Sequence, residues 1–597
     1  MTDYRAPVDD MRFVLEHIAG LPALAGLPEL EHADTDTVGA LVEESARFFE
    51  EVVAPLNRVG DTVGAKVEGD GVVMPEGFGD AYQRYIDAGW GSIPFEAEFG
   101  GGGFPWLVAV AVQEMLTSAN MGFSLCPLLT QGAVDLLTEH ASDEQKGTYL
   151  PKLISGEWSG TMNLTEPQAG SDVGAVSTKA VPADDGTYRI SGQKIYITYG
   201  EHDMADNIVH LVLARTPDAP PGTKGISCFI VPKFLPDADG APGERNGVSV
   251  VSIEHKIGIH ASPTCVLAFE DATGFLIGDE NAGMRFMFTM MNNARLSVGL
   301  QGLCLGERSY QQALDYAKER VQGRAVGTDR PRGEASPIVE HADVRRMLML
   351  MKANVEAMRC VMYRNAAAID RSKYGASPED RTMGEAEAAL LTPISKGWGT
   401  DLGVELTSLA IQVYGGMGYV EETGVAQHWR DARIAPIYEG TNGIQAADLV
   451  GRKLPMDGGG VVKHELAAMR ELADALTADA ELADLGPALA TAIDRLDEAS
   501  QWMLGRLQES PVDAMAGSSP YLRLFGVVEG ASELARSALV AKRLLADGDH
   551  GFDDQFLADK AATARFYIEQ VVPESAGLAE MATSGASATF ALPVDRL

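Results

Sequence analysis

One carboxylate is set apart by its neighbours. In RDARIAPIYEGTNGIQAADLVGR, residues 430–452, Glu439 lies between the aromatic Tyr438 and the flexible Gly440, a setting in which a carboxylate can take a proton. The same Glu439 also reads as the opening of a helix over GTNGIQAADL, where its charge would complement exposed N–H groups. A second segment, TEPQAGSD at 165–172, follows a strand-like run and presents hydroxyls and backbone amides. Such a turn suits a pyrophosphate or the edge of a flavin; it is equally a strand-to-loop exit. A third, QKIYIT at 193–198, alternates so that Ile195 and Ile197 share one face and Tyr196 and Thr198 the other.

Three textures of chain must position these segments. From about residue 37 to 158 the apolar residues recur at helical spacing, as in VGALVEESARFFEEVVAPL and FPWLVAVAVQEMLTSAN, after an extension at 1–36. Between 159 and 280 the pattern changes to short β-rich runs separated by turn residues: SGTMNLTE, TYRISGQKIYITYG, NIVHLVLART, GISCFIVPKF, GVSVVSIEHK and PTCVLAFE. Helical periodicity returns over 281–455, and after LPMDGGG a further helical stretch runs over 460–597. The expected fold is α+β: a helical domain, a β-sheet or barrel domain, and a helical bundle carrying Glu439, followed by an extra helical domain.

Composition narrows the function. A formal net charge of −37 disfavours nucleic acid and anionic membrane surfaces, both of which need Lys and Arg. The start, MTDYRAPVDDMRF, lacks the basic and apolar regions of a secretory signal, so the expected location is the cytoplasm. Five cysteines, never as CxxC, read as reduced packing residues, and eleven histidines offer no zinc spacing, so no metal is predicted. The MFTMM run reads as core.

In this order, LTEPQAGSDVG, GQKIYITYG, YAKERVQGR, LAIQVYGGMGY and RIAPIYEGTNGIQ resemble the FAD-dependent acyl-CoA dehydrogenase family over about residues 37–454. The C-terminal extension resembles the family's long forms, whose bundle in this fold would be a four-helix bundle. LISGEWSGTMNLTEPQAGSDVG, HKIGIHASPTC and YRAPVDDMRFVL are most similar to a bacterial subgroup, the one containing 3-methylmercaptopropionyl-CoA dehydrogenase.

The resemblance implies roles residue by residue. Glu439 would be the base. Met162, Leu164, Thr165 and Ser171 would lie beside FAD, with Ser171 also touching CoA, and Tyr196, Ile197 and Thr198 would flank the isoalloxazine. Tyr196 stands where the family often has tryptophan, which shrinks the stacking area but keeps an aromatic face. Arg320, Gln322, Gln412 and Gly416 match positions that reach the FAD of a neighbouring subunit, which implies a homodimer, and His341 falls near another flavin position. Arg320 also reads as a surface cation paired with a nearby acid. Thr441 and Gly443 match further flavin contacts, although Gly443 lacks a side-chain amide. Asn292, Arg295, Tyr438 and Arg452 match substrate-contacting positions; Asn292 replaces a common aspartate, and Arg452 aligns only with one residue inserted after Gln445.

The implied reaction is α,β-dehydrogenation of an acyl-CoA to a trans-2-enoyl-CoA, with electrons passed to an electron-transfer flavoprotein. 3-Methylmercaptopropionyl-CoA is the implied substrate, and a fatty acyl-CoA the alternative. An acyl-CoA oxidase or a flavin-containing DNA-binding stress protein could use the same scaffold; the second would need a basic face, which the acidic extension does not offer.

Overall fold

Turn chemistry and apolar spacing decide where the helices begin. The computed structural model describes residues 4–597; of these, the Asn292 side chain lies outside the described residues. In chain order the helices that matter here are α1 (Val8–Phe13), α2 (Thr35–Phe48), α3 (Trp106–Ala119), α4 (Met121–His140) and α5 (Asp143–Ser155). Asn120 caps α4 by accepting from Phe123 N, and Ser142 with Gln145 forms a reciprocal capping box on α5. The seven strands of one sheet follow: β1 (Trp158–Asn163), β2 (Lys179–Pro182), β3 (Tyr188–Thr198), β4 (Asn207–Ala214), β5 (Ser227–Pro232), β6 (Val248–Ile253) and β7 (Thr264–Leu276). Helix then returns in α6 (Gly283–Glu319), α7 (Ala342–Tyr374), α8 (Pro378–Tyr414) and α9 (Asn442–Asp448), and continues through the extension as α10 (Gly460–Ala478), α11 (Gly486–Glu509), α12 (Ser518–Asp547) and α13 (Asp554–Gln570). The helix, sheet, helix order read from the sequence, with its further helical segment, is the observed order.

The chain forms two compact units. One contains residues 45–104 and 115–297, the other the described residues to 44 with 105–114 and 298–597. In the first, the strands pair in the order β1-β4-β5-β7-β3-β2, with β6 on β7; β1 and β4 run parallel and the other pairs antiparallel. Every residue of β4 is buried, because Val209, Leu211 and Leu213 pack into a cluster with α4 and α5 while Val212 and Ala214 face a second cluster with Phe229, Leu267 and Phe269. Such two-sided burial explains the continuous apolar run NIVHLVLA. Met287 and Met290 lie in the first cluster, so the methionine run is core as expected. All five cysteines are buried, and none forms a disulfide among the described residues.

In the second unit, glycines let helices meet backbone to backbone. A Cβ at Gly302 would stand 2.0 Å from the Gly399 carbonyl oxygen, and one at Gly299 2.5 Å from that of Ser395, so α6 and α8 cross at closest approach there. On α12, Gly526 leaves room for the buried Trp398 of α8, whose ring a Cβ would meet at 2.3 Å. The N-terminal segment is tied in by charge. Arg359 of α7 bonds Glu114 at 2.9 Å, Glu307 at 2.9 Å and Asp10 of α1, while Lys560 of α13 bonds Asp10 and Glu356, the latter at 3.0 Å. Burial alone would raise the Asp10 carboxyl, but Lys560 and Arg359 hold it well below the carboxylate range.

Asp370 of α7 caps α3, accepting from Trp106 N at 2.7 Å and Leu107 N at 2.8 Å. Burial raises its carboxyl to about 7 against the lowering effect of these amides. An acid raised in the folded state contributes stability that is fully present below its ordinary range near 3.8 and is lost as pH rises to about 7. Thermal melts of Asp370→Asn are therefore expected to lose less stability than wild type between pH 4 and about 7; parallel curves would refute the assignment.

Candidate functional site

The segment carrying Glu439 is assembled at the crossing of α6 and α8, within the second unit. Tyr438 and Glu439 lie in the bend between the short helix Val425–Ala432 and α9, and Glu439 and Gly440 take consecutive left-handed conformations at φ +54° and +82°. For a non-glycine residue this conformation costs energy and persists only where the surroundings fix it. They do so here. Tyr438 Oη donates to Gln301 Oε1 on α6, and burial pushes its phenol well above the usual range, so it remains a neutral donor. The fully buried Gln445 of α9 reaches back to the carbonyls of Glu439 and Gly440, each at 3.4 Å. Thr441 caps α9, its Oγ1 accepting from Ile444 N at 3.3 Å. The helix expected after Glu439 thus exists, but it begins at Asn442, and Glu439 belongs to the bend before it.

A second cluster of predicted residues shares one exposed end of the same unit. His341 Nε2 lies 2.9 Å from the Gln322 carbonyl, and Arg320 donates to Gln322 Oε1 at 3.4 Å, so the long loop between Arg320 and His341 returns to its start. Tyr316 and Tyr414 stack with centroids 4.0 Å apart and planes at 12°, which brings the C-terminal end of α6, with Arg320, to that of α8, with Gln412 and Gly416. Arg320, Gln322, Gln412 and Gly416 are all exposed. Gly443 is also exposed, in the first turn of α9, whereas Arg452 stands apart from these groups, two-thirds exposed and paired with Asp448 at 3.2 Å.

The remaining residues belong to the sheet unit. Met162 is in β1, and Leu164 and Thr165 follow it directly; Ser171 is exposed in the turn beyond. The strand β3 departs from simple alternation. Cys265 pairs with Ile197 but Leu267 with Lys194, so a β-bulge falls at Ile195–Tyr196, where Tyr196 has φ +59°. The bulge turns Lys194 and Ile197 inward and leaves the Tyr196 ring 60% exposed, with Thr198 half-buried. Ile195 N donates to Thr165 O at 2.9 Å, which places the turn segment against the bulge. Arg295 is buried in α6; Asn292 lies on the same helix, its side chain outside the described residues.

Several positioning groups escaped the sequence reading. Lys194 bonds Glu166 at 2.8 Å and the Leu164 carbonyl at 2.9 Å, both deep in the sheet unit. Burial opposes ionisation of Glu166, but Lys194 and the hydroxyls and amides of Thr178 and Ser177 prevail and hold its carboxyl at about 2. The pair fixes the TEPQAGSD turn to β3. A charge inside each of two β-rich runs was its only sequence signal, and nothing local marked Gln301 as the partner of Tyr438.

The comparisons with known proteins agree with the order of the domains. The family descriptions "Acyl-CoA dehydrogenase, N-terminal domain", "middle domain" and "C-terminal domain" match residues 35–157, 161–272 and 281–454, and "Acetyl-CoA dehydrogenase C-terminal like" matches 466–593. The chain is 47% identical over 580 residues to 3-methylmercaptopropionyl-CoA dehydrogenase of Ruegeria pomeroyi, covering 96% of each chain. It is 37% identical over 598 residues to a butyryl-CoA dehydrogenase of Syntrophomonas wolfei, covering 97% of this chain and 96% of that one. Its fold is like that of an acyl-CoA dehydrogenase of Bacillus anthracis solved in complex with FAD, with a TM-score of 0.72 at 20% identity over 96% of this chain and 91% of the other. Among the described residues no helix is long and apolar enough to cross a membrane. With matched N-terminal, middle and C-terminal domains and the additional C-terminal domain, this chain belongs to the FAD-dependent acyl-CoA dehydrogenase family, as a long-form enzyme.

Proposed function

We propose that Glu439 is the base that takes the α-proton of the acyl thioester, and that the acyl group is 3-methylmercaptopropionyl or one of similar length. The observation that carries the first part is the constrained left-handed bend at Glu439 and Gly440, held by Gln301 through Tyr438 and by Gln445. A fixed bend keeps the Glu439 Cα–Cβ bond and backbone N–H in one relative orientation. In this reading the N–H donates to the thioester oxygen, where negative charge grows as the α-proton leaves. Exclusion of water by the acyl chain desolvates the carboxylate and raises its basicity. Bound FAD would supply the acceptor for the β-hydrogen, leaving this chain's residues to bind, orient and deprotonate the substrate.

The sheet unit fits such a group: the bulge presents the exposed Tyr196 ring beside Thr165, an aromatic face with a polar neighbour. Met162, Leu164, Ser171, Ile197 and Thr198 would complete that contact; Thr441 and Gly443 are further proposed FAD contacts. The exposed Arg320, Gln322, Gln412 and Gly416, with the half-buried His341, suit the anionic FAD of a second copy, and so a homodimer, in which Arg320 would meet pyrophosphate. Ser171, Asn292, Arg295, Tyr438 and Arg452 would contact the acyl-CoA. An electron-transfer flavoprotein is the proposed acceptor, and the cytoplasm the proposed location.

The Ruegeria pomeroyi relative supports the methylthio substrate, while the Syntrophomonas wolfei relative favours butyryl-CoA as the second reading. Anaerobic bleaching of the flavin by a panel of acyl-CoA esters decides between them. The methylthio ester is expected to bleach fastest; a clear preference for butyryl-CoA would reverse the order. Rapid peroxide formation in air would instead indicate an oxidase.

A further inference from the structure

Behind the bend lies a buried cation that the proposed reaction does not use. Lys396 of α8 has no exposed surface, and its Nζ donates to Asn442 Oδ1 at 2.9 Å. The two N–H groups of the Asn442 amide are shared among Asp401 Oδ1 at 2.7 Å and Gly397 O and Thr400 Oγ1, each at 3.0 Å. Asn442 N donates to Pro436 O at 3.0 Å, which closes a loop of residues 436–442 around Tyr438, Glu439 and Gly440. One residue therefore ties both ends of the base loop together and fastens them to α8.

Burying an ammonium is costly, and an apolar side chain of similar volume commonly serves stability as well or better. What a lysine adds here is direction. It orients the Asn442 carboxamide so that its NH2 group faces Gly397, Thr400 and Asp401, and this sets the rotation of the loop on α8. We propose that Lys396 and Asn442 are positioning residues for the base: through one shared hydrogen bond they hold the 436–442 loop in the register that presents Glu439. The inference rests on the reading of Glu439 as the base.

The test uses the FAD-loaded enzyme with Lys396→Met, Asn442→Ala, the double variant and Glu439→Gln, measuring flavin content, melting temperature, acyl-CoA affinity and the rate of anaerobic flavin reduction at saturating ester. Each single variant is expected to slow reduction per bound flavin by ~10- to 100-fold, as small misplacements of a reacting group do, with affinity changed by less than about threefold. The double variant is expected to be no slower than the worse single, because both remove the same interaction. A merely structural role would lower flavin content and melting temperature while leaving the rate per flavin unchanged, and that result overturns the proposal. Losses that multiply in the double variant also overturn it. Normal reduction by Glu439→Gln would show instead that the reading of the base had failed. Normal rates in the two single variants beside an inactive Glu439→Gln would refute the positioning role alone.

Discussion

Glu439→Gln is expected to fold, bind flavin as wild type does, and reduce it at least ~100-fold and up to ~10⁴-fold more slowly with saturating acyl-CoA. Glutamine keeps the size and the backbone preferences of glutamate, so the bend at φ +54° and the contacts from Gln445 to its carbonyls survive. An amide cannot accept the α-proton. Holding a non-glycine residue in the left-handed region costs on the order of 1–3 kcal/mol, which the clamps from Gln301 and Gln445 offset in both proteins. Stopped-flow absorbance of the bound flavin reads the result directly. Bleaching at the wild-type rate would remove Glu439 from the chemistry whatever the bend looks like.

Arg364→Met is expected to lower global stability by about 3–5 kcal/mol and to expose the C-terminal extension to proteolysis. This one guanidinium bonds Glu387 of α8 at 2.7 Å, Glu465 of α10 at 2.7 Å, and Glu529 and Glu533 of α12 at 2.6 and 3.1 Å. Glu529 and Glu533 have no exposed surface. Without the arginine, carboxylates from the bundle and the extension face one another in a poorly hydrated interior. Burial, then the charge of Glu465, already raises the Glu529 carboxyl well above its ordinary range, against the lowering effect of Arg364. Glu529→Gln, which mimics the protonated acid that this shift favours, is accordingly expected to change stability by less than about 1 kcal/mol. Denaturant titrations of the two variants give the contrast, and equal losses in both would show that Glu529 is ionised. Lysine at 364 is not expected to rescue, since an ammonium lacks the planar fork that reaches several acceptors.

The sequence by itself determined the order of elements and the chemical residues. The apolar periods marked the helices of both ends and the six β-rich runs between them, because burial of one face leaves a local signature at spacing 3.6 or 2. TEPQAGSD, QKIYIT and YEGTNG were legible for the same reason: each is a short contiguous segment whose residue types carry meaning. Tertiary structure decided what holds them. The alternation in QKIYIT put Ile195 and Ile197 on one face, yet a bulge set by pairing with the distant strand β7 buries Lys194 along with Ile197 and gives it Glu166 as partner. The partner of Tyr438 is Gln301, 137 residues earlier, and that of Asn442 is Lys396, 46 residues earlier. Both depend on α6 and α8 crossing at Gly302 and Gly399, a close approach that no local pattern states. A motif names the group that can react because its chemistry is local; orientation comes from contacts between elements far apart in the chain, and only the folded structure specifies those.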